Sequence, residues 1–246
     1  MGCTLWAGTG TLKGLLVIRV KPRVSYMTAI VFDLDGTLID SAPDLHAAAN
    51  RLLHAEGHSG LSLKQVKSFI GNGVPVLVAK VAKAAGLDQS AASISALTAR
   101  FSRDYSARSS DLTLPYPGVI AALTELRARG FQMAICTNKP EIPTQTILSA
   151  FQLDGFFQVV IGGDTFPVRK PDPKPLLAAF ERLGDGPCLY VGDSEVDANT
   201  ALAAKVPFAL FTQGYRKTLV EDFECAFHFE NFETLVGQAV DATNAS

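Results

Sequence analysis

Six short apolar runs, each set apart from the next by a stretch of helical character or a turn-rich segment, constrain this chain more than any other feature. They cover Thr28–Phe32, Phe131–Cys136, Phe157–Ile161, Cys188–Val191, Phe208–Phe211 and Ala226–Phe229. Runs of this length, rich in Val, Ile and Phe, read as strands buried on both faces. Val119–Arg129, Ile142–Ala150, Lys174–Leu183, Asp197–Ala204 and Asn231–Val240 read as helices, and Gly130 closes the first of them. Buried strands alternating with amphipathic helices predict an α/β fold: a doubly wound, Rossmann-like parallel sheet with helices on both faces.

The rhythm breaks between about Pro43 and Leu114. There the pattern is helix upon helix, Pro43–Glu56, Ser62–Ala85 interrupted at Gly71-Asn72-Gly73, and Ala91–Tyr105, with no strand between. The simplest architecture is a small α-helical cap, residues 42–115, inserted into a core made of residues 28–41 and 116–246. Its hinges fall near Asp40–Ala42 and at the Pro- and Gly-containing Pro115–Gly118. Residues 1–27 read as a disordered extension, or as an upstream start preceding a true start at Met27, with a targeting segment as the alternative. Their basic residues Arg19, Lys21 and Arg23 follow a short apolar stretch instead of preceding a long one, and Trp6 breaks a myristoylation pattern.

Composition narrows the function classes. The 246 residues carry 22 Lys+Arg against 24 Asp+Glu, so the basic face that a nucleic-acid partner needs is not expected. No apolar run approaches the roughly 20 residues that span a bilayer. Cys3, Cys136, Cys188 and Cys225 offer neither a zinc motif nor a disulfide framework, and Cys136 and Cys188 lie in apolar runs as buried hydrophobes. The expectation is a soluble, cytoplasmic protein, monomer or homodimer, acting on a small molecule.

In open parallel sheets, ligands bind outside the carboxyl ends of the strands. Four such places carry chemistry here: Asp33-Leu34-Asp35-Gly36-Thr37, Thr137-Asn138-Lys139, Arg169-Lys170-Pro171, and Gly192-Asp193-Ser194-Glu195-Val196-Asp197. A single loop Asp is ordinarily a turn former or a helix cap. Clusters at four successive strand ends point instead to one crevice. Several carboxylates gathered there repel one another unless a cation joins them, and an oxygen-only donor set favours Mg²⁺. Lys170 adds a point charge, while Thr137 and Asn138 add hydrogen-bond donors. A phosphoryl group is best served by that combination.

Phe32-Asp33-Leu34-Asp35-Gly36-Thr37-Leu38, Thr137-Asn138, Lys170-Pro171-Asp172-Pro173 and Gly192–Asp197 resemble, in order, the four motifs of the haloacid dehalogenase superfamily. The resemblance spans about Ile30 to Val236, and the helical insertion is similar to that superfamily's small cap. Ser41–Leu45, Gly71-Asn72-Gly73, Thr137–Pro140 and Val160–Asp164 look most like bacterial phosphoglycolate phosphatases.

By this resemblance Asp33 is the nucleophile that forms an aspartyl-phosphate, and Asp35 is the general acid and then the general base. Residues i and i+2 leave a strand on the same side, so both carboxylates can face one substrate. The resemblance implies Mg²⁺ held by the Asp33 carboxylate, the Asp35 carbonyl and Asp193. It implies Thr137, the Asn138 amide and Lys170 on the phosphoryl group, with Asp197, Gly36 and Thr37 supporting them from behind. Gly71-Asn72-Gly73 reads first as a turn between helices and second as a nest of amides for a carboxylate. Lys67, Arg100 and Arg103 read as solvated cap charges. The implied activity is hydrolysis of a small phosphomonoester, foremost 2-phosphoglycolate. A β-phosphoglucomutase-like mutase, a broad sugar or nucleotide phosphatase and a pyrophosphatase share the motifs. A binding protein of the same fold would be expected to lack one of Asp33, Asp35, Lys170 or Asp193.

Overall fold

The computed structural model describes residues 28–244; the extension expected at 1–27 lies outside the described residues. The chain runs β1 (Ala29–Phe32), β2 (Ile39–Asp40), α1 (Ala42–Ala55), α2 (Leu63–Lys67), α3 (Val74–Ala84), α4 (Ala91–Ser106) and β3 (Leu114–Pro115). It continues through α5 (Val119–Ala128), β4 (Gln132–Cys136), α6 (Glu141–Ala150), β5 (Val159–Ile161), α7 (Lys174–Leu183) and β6 (Cys188–Gly192). Last come α8 (Glu195–Ala204), β7 (Phe208–Phe211), β8 (Phe227–Phe229) and α9 (Phe232–Asn244).

Six strands form one parallel sheet in the order β5-β4-β1-β6-β7-β8. Phe32 of β1 lies opposite both Ile135 of β4 and Val191 of β6, so these strands end level with one another. Alternation along the strands sorts side chains between two apolar layers. Ile30, Phe32, Met133, Ile135, Leu189 and Val191 pack with α5, α6 and α9 on one face. Ala29, Val31, Ala134, Cys136 and Tyr190 pack with α7 and α8 on the other. The winding turns in opposite directions from β1, toward β4 on one side and β6 on the other. The carboxyl ends of these strands therefore open a crevice at the switch point.

Helices α1–α4 enclose an apolar core of their own, built from Leu45, Leu53, Val78, Val81, Phe101 and Tyr105 among others. The sequence places hinges at both ends of this lobe, and there the chain forms a short antiparallel ladder: Ile39 faces Pro115 and Asp40 faces Leu114. Strands of two residues carry too little periodicity to be read from sequence. Buried Asp44 ties the first helix to the returning chain, accepting from the Leu112 and Thr113 amides and the Thr113 hydroxyl. The interruption read within Ser62–Ala85 at Gly71-Asn72-Gly73 separates two helices, with α2 ending earlier than expected, at Lys67. Ser62 and Gln65 make a reciprocal capping box at α2, and α3 restarts after Gly73 with Pro75 in its first turn. Helix α8 begins at Glu195 instead of Asp197, because Ser194 caps it. Cys136 is buried, but Cys188 is half-buried. Among the described residues, no helix is long and apolar enough to cross a membrane.

Candidate active site

Asp33 continues the line of β1, its amide donating to the Val191 carbonyl at 2.9 Å. This puts its carboxylate at the crevice, 2.9 Å from the Lys170 ammonium. Lys170 is buried and also reaches Asp197 Oδ1 at 2.7 Å and the Tyr190 hydroxyl at 2.8 Å. The carboxylate of Asp197 is fully engaged. Its Oδ1 takes Lys170 and Tyr190, and its Oδ2 takes the Ser194 hydroxyl and the amides of Ser194 and Asp193. Local sequence explains this: Asp197 is the third residue of α8 and reaches back to the Ser194 cap. Gly192 is required beside it, since a Cβ there would lie 2.4 Å from the Asp197 Cβ.

Asp193, also buried, accepts from the Thr37 hydroxyl at 3.0 Å and the Tyr215 amide at 2.5 Å. Carboxylate oxygens of Asp33, Asp193 and Asp197 lie within 4.8 Å of one another. Three carboxylates face the one ammonium of Lys170, so full ionisation would leave two negative charges uncompensated inside the protein. Burial, with the charges of Asp197 and Asp33 adding to it, pushes the Asp193 carboxyl well above its ordinary range. Burial likewise lifts Asp33 to about 6, against the pull of Lys170. For Asp197 burial acts in the same direction, but the Lys170 charge and its hydrogen bonds win and hold it low. The same pairing raises Lys170, with Asp197 and Asp33 overcoming the burial that opposes its charge.

A divalent cation fits this donor set. All donors are oxygens, the carboxylates outnumber the one ammonium, and with Asp197 engaged it is Asp33 and Asp193 that can face an ion. Gly36 permits the approach of the two loops: its φ is +91°, and a Cβ would meet Asp193 Oδ2 at 2.5 Å.

Asp35 faces another direction. Its carboxylate lies 3.0 and 3.2 Å from the ammonium of Lys139, which also donates to the Tyr105 hydroxyl at 2.5 Å. The Tyr105 ring lies under the same ammonium, 4.6 Å from its centroid. Burial disfavours that charge, but Asp35 and Tyr105 outweigh it and raise the Lys139 pKa. Thr137 and Asn138 follow β4. The Thr137 oxygen accepts from the Lys139 amide at 3.2 Å, while the Asn138 side chain donates to the Lys170 carbonyl at 3.0 Å and to the Gly71 carbonyl of the cap at 2.9 Å.

These residues line one cavity of about 40 Å³, with Asp33, Asp35, Thr137, Asn138 and Lys139 from the core and Leu45, Ile70, Val74, Leu77 and Tyr105 from the cap. The cap charges weighed in sequence lie elsewhere: Lys67 sits over the Tyr215 ring, Arg100 pairs with Glu56, and Arg103 is exposed. Lys139, Tyr105, Tyr190 and Tyr215 carry contacts that sequence reasoning gave no role. Lys139 stands within a cluster already marked by its neighbours. The three tyrosines lie in apolar or loop contexts with nothing to distinguish them.

Comparison with known proteins agrees with this geometry. The family model of haloacid dehalogenase-like hydrolases matches residues 30–211. The chain is 50% identical over 196 residues to a phosphoglycolate phosphatase of Cereibacter sphaeroides, covering 80% of this chain and 90% of that one. It is 44% identical over 209 residues to a phosphoglycolate phosphatase of Rhodobacter capsulatus, covering 85% and 95%. The crystal structure of a predicted phosphoglycolate phosphatase from Haemophilus somnus superposes with a TM-score of 0.80 at 31% identity, covering 86% and 97%. With the matched segment running through all four strand-end clusters and the whole helical insertion, the chain belongs to the haloacid dehalogenase-like hydrolases.

Proposed function

We propose that this protein is a Mg²⁺-dependent phosphatase that hydrolyses 2-phosphoglycolate to glycolate and phosphate through an aspartyl-phosphate on Asp33. One observation carries the reading. Two carboxylates two residues apart share a cavity but have separate cationic partners, Lys170 for Asp33 and Lys139 for Asp35. That separation suits one carboxylate to attack and the other to proton transfer. The names of the relatives support the substrate.

In the first step an Asp33 oxygen attacks phosphorus, the ester P–O bond breaks, and Asp35 donates its proton to the departing alkoxide. In the second, water attacks the phosphorus of the aspartyl-phosphate, Asp35 takes the water's proton, and phosphate leaves with Asp33 restored. Lys170 neutralises charge on the nucleophile and on the transferring group, while the Thr137 hydroxyl and the Asn138 amide donate to phosphoryl oxygens. Mg²⁺, held by Asp33, Asp193 and the Asp35 carbonyl, would supply electrostatic stabilisation of the phosphoryl oxygens. The cap's apolar wall excludes bulk water from the acyl phosphate. The small cavity, about 40 Å³ and walled on the cap side by Leu45, Ile70, Val74 and Leu77, suits a short leaving group better than a hexose or nucleoside.

Phosphate release from 2-phosphoglycolate, phosphoglycerates, hexose phosphates, nucleotides and pyrophosphate, with Mg²⁺ and with EDTA, tests the reading. Selective, metal-dependent release from 2-phosphoglycolate is expected. Equal or faster release from other esters would overturn the substrate, and release only with a bisphosphate primer would indicate a mutase.

A further inference from the structure

If the phosphatase reading holds, the leaving group must be recognised by residues that line the cavity beside Asp35. The cap offers an apolar wall there: Leu45, Ile70, Val74 and Leu77. Such a wall gives no partner to an anionic leaving group, and an unpaired carboxylate in it is strongly disfavoured. Among the lining residues one is a cation, Lys139.

The bonding of Lys139 rests on two side chains. Its ammonium meets both carboxylate oxygens of Asp35, at 3.0 and 3.2 Å, and the Tyr105 hydroxyl. A ligand carboxylate beside Asp35 would take the place of the longer Asp35 contact, since an ammonium has three donors. Tyr105 is buried in the cap and stacks on Phe101, with centroids 5.8 Å apart, so the ammonium is held by a rigid aromatic base on one side and by Asp35 on the other.

Spacing selects the ligand. The Asp35 carboxylate that serves the ester oxygen lies 3.0 Å from the Lys139 ammonium. Groups this close suit a ligand whose anionic oxygen lies near its ester oxygen, as when carboxylate and ester share one carbon. We propose that Lys139, seated against Tyr105 of the closed cap, binds the leaving group's carboxylate and confines the enzyme to phosphate esters of short 2-hydroxycarboxylic acids. The site includes a residue from each lobe and is complete only when the cap is closed.

The test compares kcat/KM for 2-phosphoglycolate and for ethyl phosphate, which matches its chain length without the charge, in wild type and in Lys139→Met and Lys139→Gln. Gln keeps hydrogen bonding to Asp35 and Tyr105 if Met disturbs the fold. Both esters slow in these variants, because Asp35 loses its partner, so the ratio is the readout. The wild type should prefer 2-phosphoglycolate, and 3-phosphoglycerate, whose carboxylate is one carbon further away, should be poor. The preference over ethyl phosphate should fall at least about tenfold in the variants, mainly through KM, as expected for loss of a hydrogen bond between charged groups. Competitive inhibition by glycolate should weaken in parallel. A wild-type preference that survives unchanged in the variants overturns the role of Lys139 and leaves the phosphatase reading intact. Absence of any preference in wild type overturns the substrate reading along with it.

Discussion

Replacing Asp33, the proposed nucleophile, should make the metal-free protein more stable while removing its activity. Asp33 is 7% exposed, so solvent screens its charge little. Burial lifts its carboxyl to about 6 from an ordinary 3.8 in spite of Lys170. A carboxyl with a higher pKa in the folded than in the unfolded state contributes stability that is complete below 3.8 and is lost as pH rises through about 6. The displacement is roughly two pH units, and at about 1.4 kcal/mol per unit the ionised group costs on the order of 3 kcal/mol at neutral pH. Asp33→Asn keeps the shape and cannot ionise. In EDTA it should match wild type near pH 4 and exceed it by about 3 kcal/mol at pH 7–8, a rise of roughly 6–12 °C in Tm for a chain of this size. Thermal and urea unfolding of both proteins from pH 4 to 8 provide the measurement. A gain independent of pH, or a loss at pH 8, would refute the argument that the site stores repulsion. With Mg²⁺ the order should narrow, since a cation that binds only the folded state stabilises the protein with the intact carboxylate more.

Asp35→Asn should slow hydrolysis of alkyl phosphates by about 10²-fold or more and that of p-nitrophenyl phosphate far less, because a good leaving group needs no proton; equal losses would remove Asp35 from the general-acid role. Gly36→Ala combines a φ of +91° with a Cβ placed 2.5 Å from Asp193 Oδ2, and should lower stability by about 1–3 kcal/mol and weaken Mg²⁺ binding measured by calorimetry. Asp197→Ala strips Lys170 and Tyr190 of a shared acceptor, so urea unfolding should show a loss of about 3–5 kcal/mol, the usual result of breaking a buried pair.

The sheet was legible because its six strands are apolar runs with clear breaks, and period-2 sorting needs nothing beyond the strands themselves. The strand-end clusters were legible for a related reason: Asp33, Asp35, Asp193 and Asp197 are polar residues interrupting buried segments, which demands a local cause. Strand order was not legible, because pairing of β1 with both β4 and β6 depends on contacts more than a hundred residues apart. Separation in sequence also concealed the partners of the strand-end groups. Tyr105 lies 34 residues before Lys139 in the sequence yet bonds to it. It reads as an ordinary apolar position of an amphipathic helix, since its ring does pack in the cap core and only its hydroxyl carries the message. His46, which gives no signal in sequence, holds the Leu61 carbonyl at 2.8 Å and fixes the loop before α2.

The contacts between the lobes fall on the residues of the site itself. Asn138 bonds the cap at Gly71 and the core at Lys170. Lys139 joins Asp35 to Tyr105. Tyr215 donates its amide to Asp193 and its hydroxyl to Asp40 at the hinge, accepts from the Ala42 amide, and places its ring under Lys67 of the cap. Opening the cap must therefore break hydrogen bonds made by the groups that would hold phosphate, leaving group and metal, and closing it restores them together. Buried polar groups left without partners are costly, so these contacts favour the two lobes staying together. A substrate that supplies the missing partners across this seam stabilises the closed form, and one that does not leaves the cavity incomplete. On the proposed function, selection of the leaving group and exclusion of water would be two results of the same set of contacts.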